Sequence, residues 1–77
     1  MARSRLDEID RMIGANIRQR RILGGLTQAA LAGFIGVSLL QLQRYEDGAD
    51  GISARKLCMI ARLFGLPMDA FFVELDT

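Results

Sequence analysis

Ile9, Ile13 and Ile17 recur every four residues with arginine and acidic side chains between them, which places them on one face of a first helix from about Leu6 or Asp7 to Leu23. The pair Gly24-Gly25 ends that helix. Thr27 is a good N-cap for a second helix, Gln28 to Ile35, in which Leu31 and Ile35 lie one turn apart with the small Ala32 between them. Gly36 stands where a residue with positive φ would close that helix, Val37 plugs the angle, and Ser38 caps a third helix from Leu39 to Glu46. Asp47-Gly48 stops it, and a polar loop crosses Ala49 to Ile52. Ser53 then caps a fourth helix with Leu57, Ile60, Ala61 and Phe64 inward, ending at Gly65. Pro67 suits the first turn of a last short helix, Met68 to about Glu74, because its missing N–H would be unpaired there anyway. The pattern predicts an all-α, compact five-helix domain with a core spanning 9–74 and residues 1–5 as a flexible N-terminal arm.

The second and third helices are short and joined by a tight turn. Two helices cross steeply only if small residues sit at their closest approach and apolar plugs surround the bend. Ala32 and Gly36, with Leu31, Ile35, Val37, Leu42 and Tyr45, meet those demands. Such an arrangement is how small proteins present a helix to DNA.

From Ile13 to Phe72 the chain resembles the Cro/C1-type, or XRE-type, helix-turn-helix domain of bacterial and phage regulators, a five-helix fold like that of lambda repressor. The resemblance is carried by Ile17 and Arg21, Leu26-Thr27-Gln28, Leu31-Ala32, Gly36-Val37-Ser38, Tyr45-Glu46-x-Gly48, Ser53, Leu57, Ile60-Ala61, and Leu66-Pro67 with Phe71-Phe72. It implies that helix three lies in the major groove and that the start of helix two, Thr27 and Gln28, grips phosphate. It assigns base reading to Ser38, Leu39, Leu40, Gln41 and Arg44, with Gln43 on the flank. Arg44 has the chemistry for a bidentate pair with guanine, and Gln41 for adenine or for phosphate. Leu39 and Leu40 depart from the family, which usually carries polar or larger side chains there. They either touch a thymine methyl, pack inward, or meet a partner protein. Arg21 and Glu46 are implied to form a structural ion pair between helices one and three, outside the DNA contact. The loop Ala49-Asp50-Gly51 departs from the family's basic or amide-bearing residues, and Asp50 would repel phosphate. Arg55 and Lys56 either compensate or form a solvated helix face, and Arg18 and Arg20 either reach phosphate or are solvated.

Composition narrows the class. A 77-residue domain buries only about 60% of its unfolded surface, so a chain that is 51% hydrophobic is using its apolar residues densely. The net charge is +1, yet residues 1–44 hold seven arginines against three acids, and residues 45–77 three bases against six acids. That asymmetry permits a basic face without a basic protein. Cys58 is the sole cysteine, so no internal disulfide forms; with Met59 it is expected to fill core gaps in helix four. The absence of His and of paired carboxylates in a pocket argues against an enzyme, a metal site or a cofactor. No apolar run reaches membrane-span length, and the charged start MARSRLDEID does not read as a signal peptide, which fits a cytoplasmic, nucleoid-associated protein without a membrane partner.

At the C-terminal end Leu66, Met68, Phe71, Phe72, Val73 and Leu75 are more apolar surface than one short helix hides. Adjacent Phe71 and Phe72 point about 100° apart, and the surplus is expected to form a two-fold dimer interface. The expected function is a sequence-specific regulator of transcription, a repressor that binds an inverted-repeat operator in double-stranded DNA as a homodimer. With no sensor domain in these residues, control would come from its concentration, a regulatory protein partner or proteolysis. The alternative is a protein-interaction module that kept the fold and lost base readout.

Overall fold

The computed structural model describes residues 5–75 as four α-helices, α1 (Arg5–Leu23), α2 (Gln28–Ile35), α3 (Leu39–Asp47) and α4 (Ala54–Phe64), followed by a single 3₁₀ turn, Met68–Phe71. The expected N-terminal arm falls on residues 1–4, outside the described residues, and on Arg5, which already belongs to α1. No strand occurs among the described residues.

The caps form where the sequence suggests. Thr27, Ser38 and Ser53 accept from the backbone N–H of Ala30, Gln41 and Lys56 at 3.0, 3.0 and 3.2 Å, each satisfying one of the unpaired donors at a helix start. Gly36 closes α2 with φ of 74°, and Val37 N–H returns to the Ala32 carbonyl at 3.0 Å. A Cβ at Gly36 would meet nothing within 4 Å, so this glycine serves the backbone conformation and not a close approach.

The close approach lies elsewhere. A Cβ at Gly14 in α1 would collide with the Tyr45 carbonyl oxygen and come within 2.7 Å of the Glu46 carbonyl oxygen, and a Cβ at Gly48 would collide with Arg11. The bare backbone of α1 thus seats the end of α3. Around this crossing Ile13, Ile17, Leu31, Ala32, Ile35, Leu42, Leu57, Ile60, Ala61 and Phe71 form one core, with Val37, Tyr45, Met59 and Phe64 packed against it.

Four expectations change. Ile9 is exposed, so the inward stripe of α1 begins at Ile13. Cys58 is exposed on α4 and fills no core gap, unlike its neighbour Met59. The fifth helix is only the 3₁₀ turn. The Pro67 position supplies no side-chain cap, and beyond the turn the Val73 carbonyl accepts from the buried Asn16 Nδ2 of α1 at 2.7 Å, which ties the end of the chain to α1. Phe71 itself is fully buried and belongs to the monomer core, which removes it from the expected dimer interface, whereas Phe72, just after the 3₁₀ turn, is exposed.

Candidate nucleic-acid interface

The crossing of α1 and α3 turns one face of α3 inward, with Leu42 and Glu46 buried, and leaves Leu39, Leu40 and Arg44 outward, with Gln41 and Gln43 half-buried at its flanks. Leu39 and Leu40 are 46% and 65% exposed, which eliminates the reading in which they pack inward. They crown the start of α3, beside Ser38.

Thr27 and Ser38 each use a hydroxyl oxygen to accept the cap bond, so each keeps its O–H proton for an outside acceptor. Gln28, at the first position of α2, is half-buried. Its Nε2 donates to Glu46 Oε1 at 2.9 Å, and its Oε1 accepts from Gln43 Nε2 at 3.3 Å. One amide hydrogen of Gln28 therefore remains uncommitted among these bonds, directed from a side chain held in place by two partners.

Behind Gln28 lies the buried pair. Arg21 Nε donates to Glu46 Oε2 at 2.7 Å, Arg21 Nη2 to Glu46 Oε1 at 3.2 Å, and Arg21 Nη1 to the Leu26 carbonyl at 2.9 Å. One arginine thus joins α1 to the end of α3 and to the segment before α2, and Glu46 passes that order on to Gln28 and Gln43.

A second arginine–carboxylate pair sits on the surface. Arg44 Nε and Nη2 donate to Asp50 Oδ2 and Oδ1 at 2.7 and 3.0 Å, and Gln41 Nε2 donates to the same Oδ2 at 3.1 Å. The Arg44 hydrogen bond, with Gln41's amide and the guanidinium charge behind it, lowers the Asp50 carboxyl to about 2, and Asp50 in turn raises Arg44 above its ordinary value. The two residues with the best base-reading chemistry therefore share one acid. The sequence treats Asp50 only as a repeller of phosphate. The signal that would have found its second role is the Asp-Gly stop after Arg44, since a glycine-closed helix folds the next residues back over its last turn.

Among the flanking bases, Lys56 Nζ donates to the Ile35 carbonyl at 3.1 Å, capping the C-terminus of α2, while Arg55 and Arg18 are exposed and Arg20 is half-buried. Lys56 is thereby tied to the turn between α2 and α3. Leu66, Met68 and Leu75 are half-buried, and Phe72 and Val73 are exposed beyond them. No group of three or more metal-ligating side chains occurs among the described residues, and no helix there is long and apolar enough to cross a membrane.

The family profile described as helix-turn-helix matches residues 17–71, from the middle of α1 through the 3₁₀ turn. The chain belongs to the Cro/C1-type, or XRE-type, helix-turn-helix family. Among its helix-turn-helix relatives is a Rhodospirillum rubrum protein named as an uncharacterised transcriptional regulator in the ATPase CF(0) region, 42% identical over 71 residues, covering 92% of this chain and 66% of that protein. The chain spans about half to two thirds of the length of the curated relatives it matches first. Among solved structures, the clp gene regulator ClgR from C. glutamicum superposes with a TM-score of 0.74 at 25% identity, covering 82% of each chain. The restriction-modification controller protein C.AhdI from Aeromonas hydrophila shares the fold, with a TM-score of 0.73 at 22% identity over 82% of this chain and 96% of that one.

Proposed function

We propose that this chain is the DNA-contacting unit of a transcriptional regulator, with α3 in the major groove and the start of α2 on the phosphate backbone. The observation that carries this reading is the division of α3 itself. Leu42 and Glu46 fix it to the domain, while Ser38, Leu39, Leu40, Gln41, Gln43 and Arg44 line the side left to solvent. Thr27 and Gln28 bring a hydroxyl and an amide to the α2 N-terminus, where backbone N–H groups and the helix dipole favour phosphate. The relatives named as transcriptional regulators support the same reading.

In this account the protein represses by occupying an inverted repeat as a homodimer, with Phe72 and Val73 at the two-fold contact and two α3 helices about 34 Å apart on one face of the duplex. Sedimentation should show a concentration-dependent rise from monomer to dimer mass; a monomer at every concentration would contradict the dimer. A nucleoid location follows from the same DNA contact.

The exposure of Leu39 and Leu40 favours one other reading, a module that binds a regulatory protein partner through α3. Salt separates the two. DNA affinity should fall linearly with salt on logarithmic axes, and Gln28→Ala and Arg44→Ala should each weaken it. Binding that ignores salt and both substitutions would favour the protein partner.

A further inference from the structure

Arg44 and Asp50 lie six residues apart, yet the backbone has been bent to bring them together. Gly48 ends α3 with φ of 72°, and the chain reverses so that the Ala49 and Asp50 N–H groups both donate to the Arg44 carbonyl, at 2.9 and 3.4 Å. On the far side of the loop Gly51 lies beside α1, where a Cβ would stand 3.0 Å from the Asp10 carboxylate oxygen Oδ1. Asp50 is thus a surface acid whose own backbone is tied to the last turn of α3.

Its carboxylate takes the Nε–Nη2 edge of the guanidinium. An arginine carries five N–H donors in a planar fork, so the opposite edge, made by Nη1 and the second Nη2 hydrogen, stays available and has the spacing that matches guanine O6 and N7. Gln41 gives Asp50 one amide hydrogen and retains the other together with its Oε1, the two groups an adenine requires.

We propose, resting on the DNA reading above, that Asp50 is a positioning residue that sets base specificity by holding Arg44 with its free edge presented to a guanine. The same contact withdraws Arg44 from loose attraction to phosphate, since a paired guanidinium beside an acid offers a strand backbone less positive potential. Both effects widen the gap between the preferred duplex and any other. Arg44 meets the base already ordered, so less side-chain freedom is lost on binding.

The test is fluorescence anisotropy of the whole chain at fixed salt, with the duplex enriched by selection, the same duplex with its Arg44-read guanine replaced, and an unrelated duplex. Asp50→Asn keeps the shape and removes the charge, and Asp50→Glu keeps the charge and moves it by one methylene. Each should narrow the ratio of preferred to guanine-replaced affinity by about three- to tenfold, a part of what a bidentate pair is worth. Asp50→Asn should also strengthen binding to the unrelated duplex. In an Arg44→Ala background neither Asp50 substitution should change the ratio. A ratio that is unchanged or widened by Asp50→Asn, or narrowed equally in the Arg44→Ala background, overturns the proposal and leaves the DNA reading standing. A wild-type chain that prefers no duplex overturns the DNA reading and the role of Asp50 with it.

Discussion

Two arginines of this chain hold a carboxylate in the same way, each with a 2.7 Å Nε–oxygen contact and a second bond from Nη2, yet they sit in opposite surroundings. The Arg21 and Glu46 side chains are 11% and 1% exposed, whereas those of Arg44 and Asp50 are 49% and 38% exposed. Burial decides what each pair does. The first is sealed at the crossing of α1 and α3, where an unpaired charge has no water to turn to. The second lies in high dielectric under salt screening, so it adds little to folding and leaves its outer edge free to meet a ligand. The same bonding pattern therefore builds a scaffold in one place and, in the proposed account, a reading surface in the other.

The contrast breaks first at the buried pair. Glu46→Ala leaves Arg21 uncompensated and removes the partner of Gln28, and should lower unfolding free energy by about 3–5 kcal/mol in a urea titration. Replacing both partners, Arg21→Met with Glu46→Met, should recover much of that loss, because two apolar side chains leave no stranded charge. A comparable loss is expected where the core meets the C-terminal turn: Phe71→Ala should cost about 3–5 kcal/mol, while Phe72→Ala should hardly alter unfolding and should weaken self-association instead. Gly14→Ala comes next, since its methyl group meets backbone carbonyls of α3 that cannot rotate away; a loss of about 1–3 kcal/mol is expected. At the exposed pair the effect is smallest, and Asp50→Asn should lower the melting temperature only slightly. The acid's lowered value fixes the pH window: the pair's contribution is complete above 3.8 and is lost as pH falls through about 2, so at neutral pH it should not vary. A carboxyl titration followed by NMR checks this, and an Asp50 midpoint near 3.8 would mean that the pair does not persist in solution.

The parts of this architecture that depend on local chemistry were legible in the sequence. The three hydroxyl caps and the glycine that closes α2 act through neighbours within a turn, and the helical spacing of Leu31 and Ile35 marks an inward face, so local pattern locates them. The Arg21–Glu46 pair was reached through resemblance, because its partners are 25 residues apart and no local pattern joins them. Gly14 was legible in principle, since a lone glycine inside an amphipathic helix costs stability and so points to a packing requirement, but the sequence names no partner for it. The bond between Asn16 and Val73, separated by 57 residues, was invisible for the same reason. On the proposed reading face the residue types were legible and their mutual bonding was not. Gln28, Gln41, Gln43 and Arg44 each look like free surface groups in the sequence, yet every one bonds another side chain once α3 and its following loop are in place.

The central claim, that α3 reads DNA through the side of the helix opposite its buried anchor, is tested most directly by selection from a random duplex library with the wild-type chain and with Arg44→Ala. The wild type should enrich an inverted repeat with a guanine in each half-site, and Arg44→Ala, folded as before, should lose preference at that position while keeping the rest of the motif. No enrichment by the wild type, or an identical motif from both proteins, would contradict it.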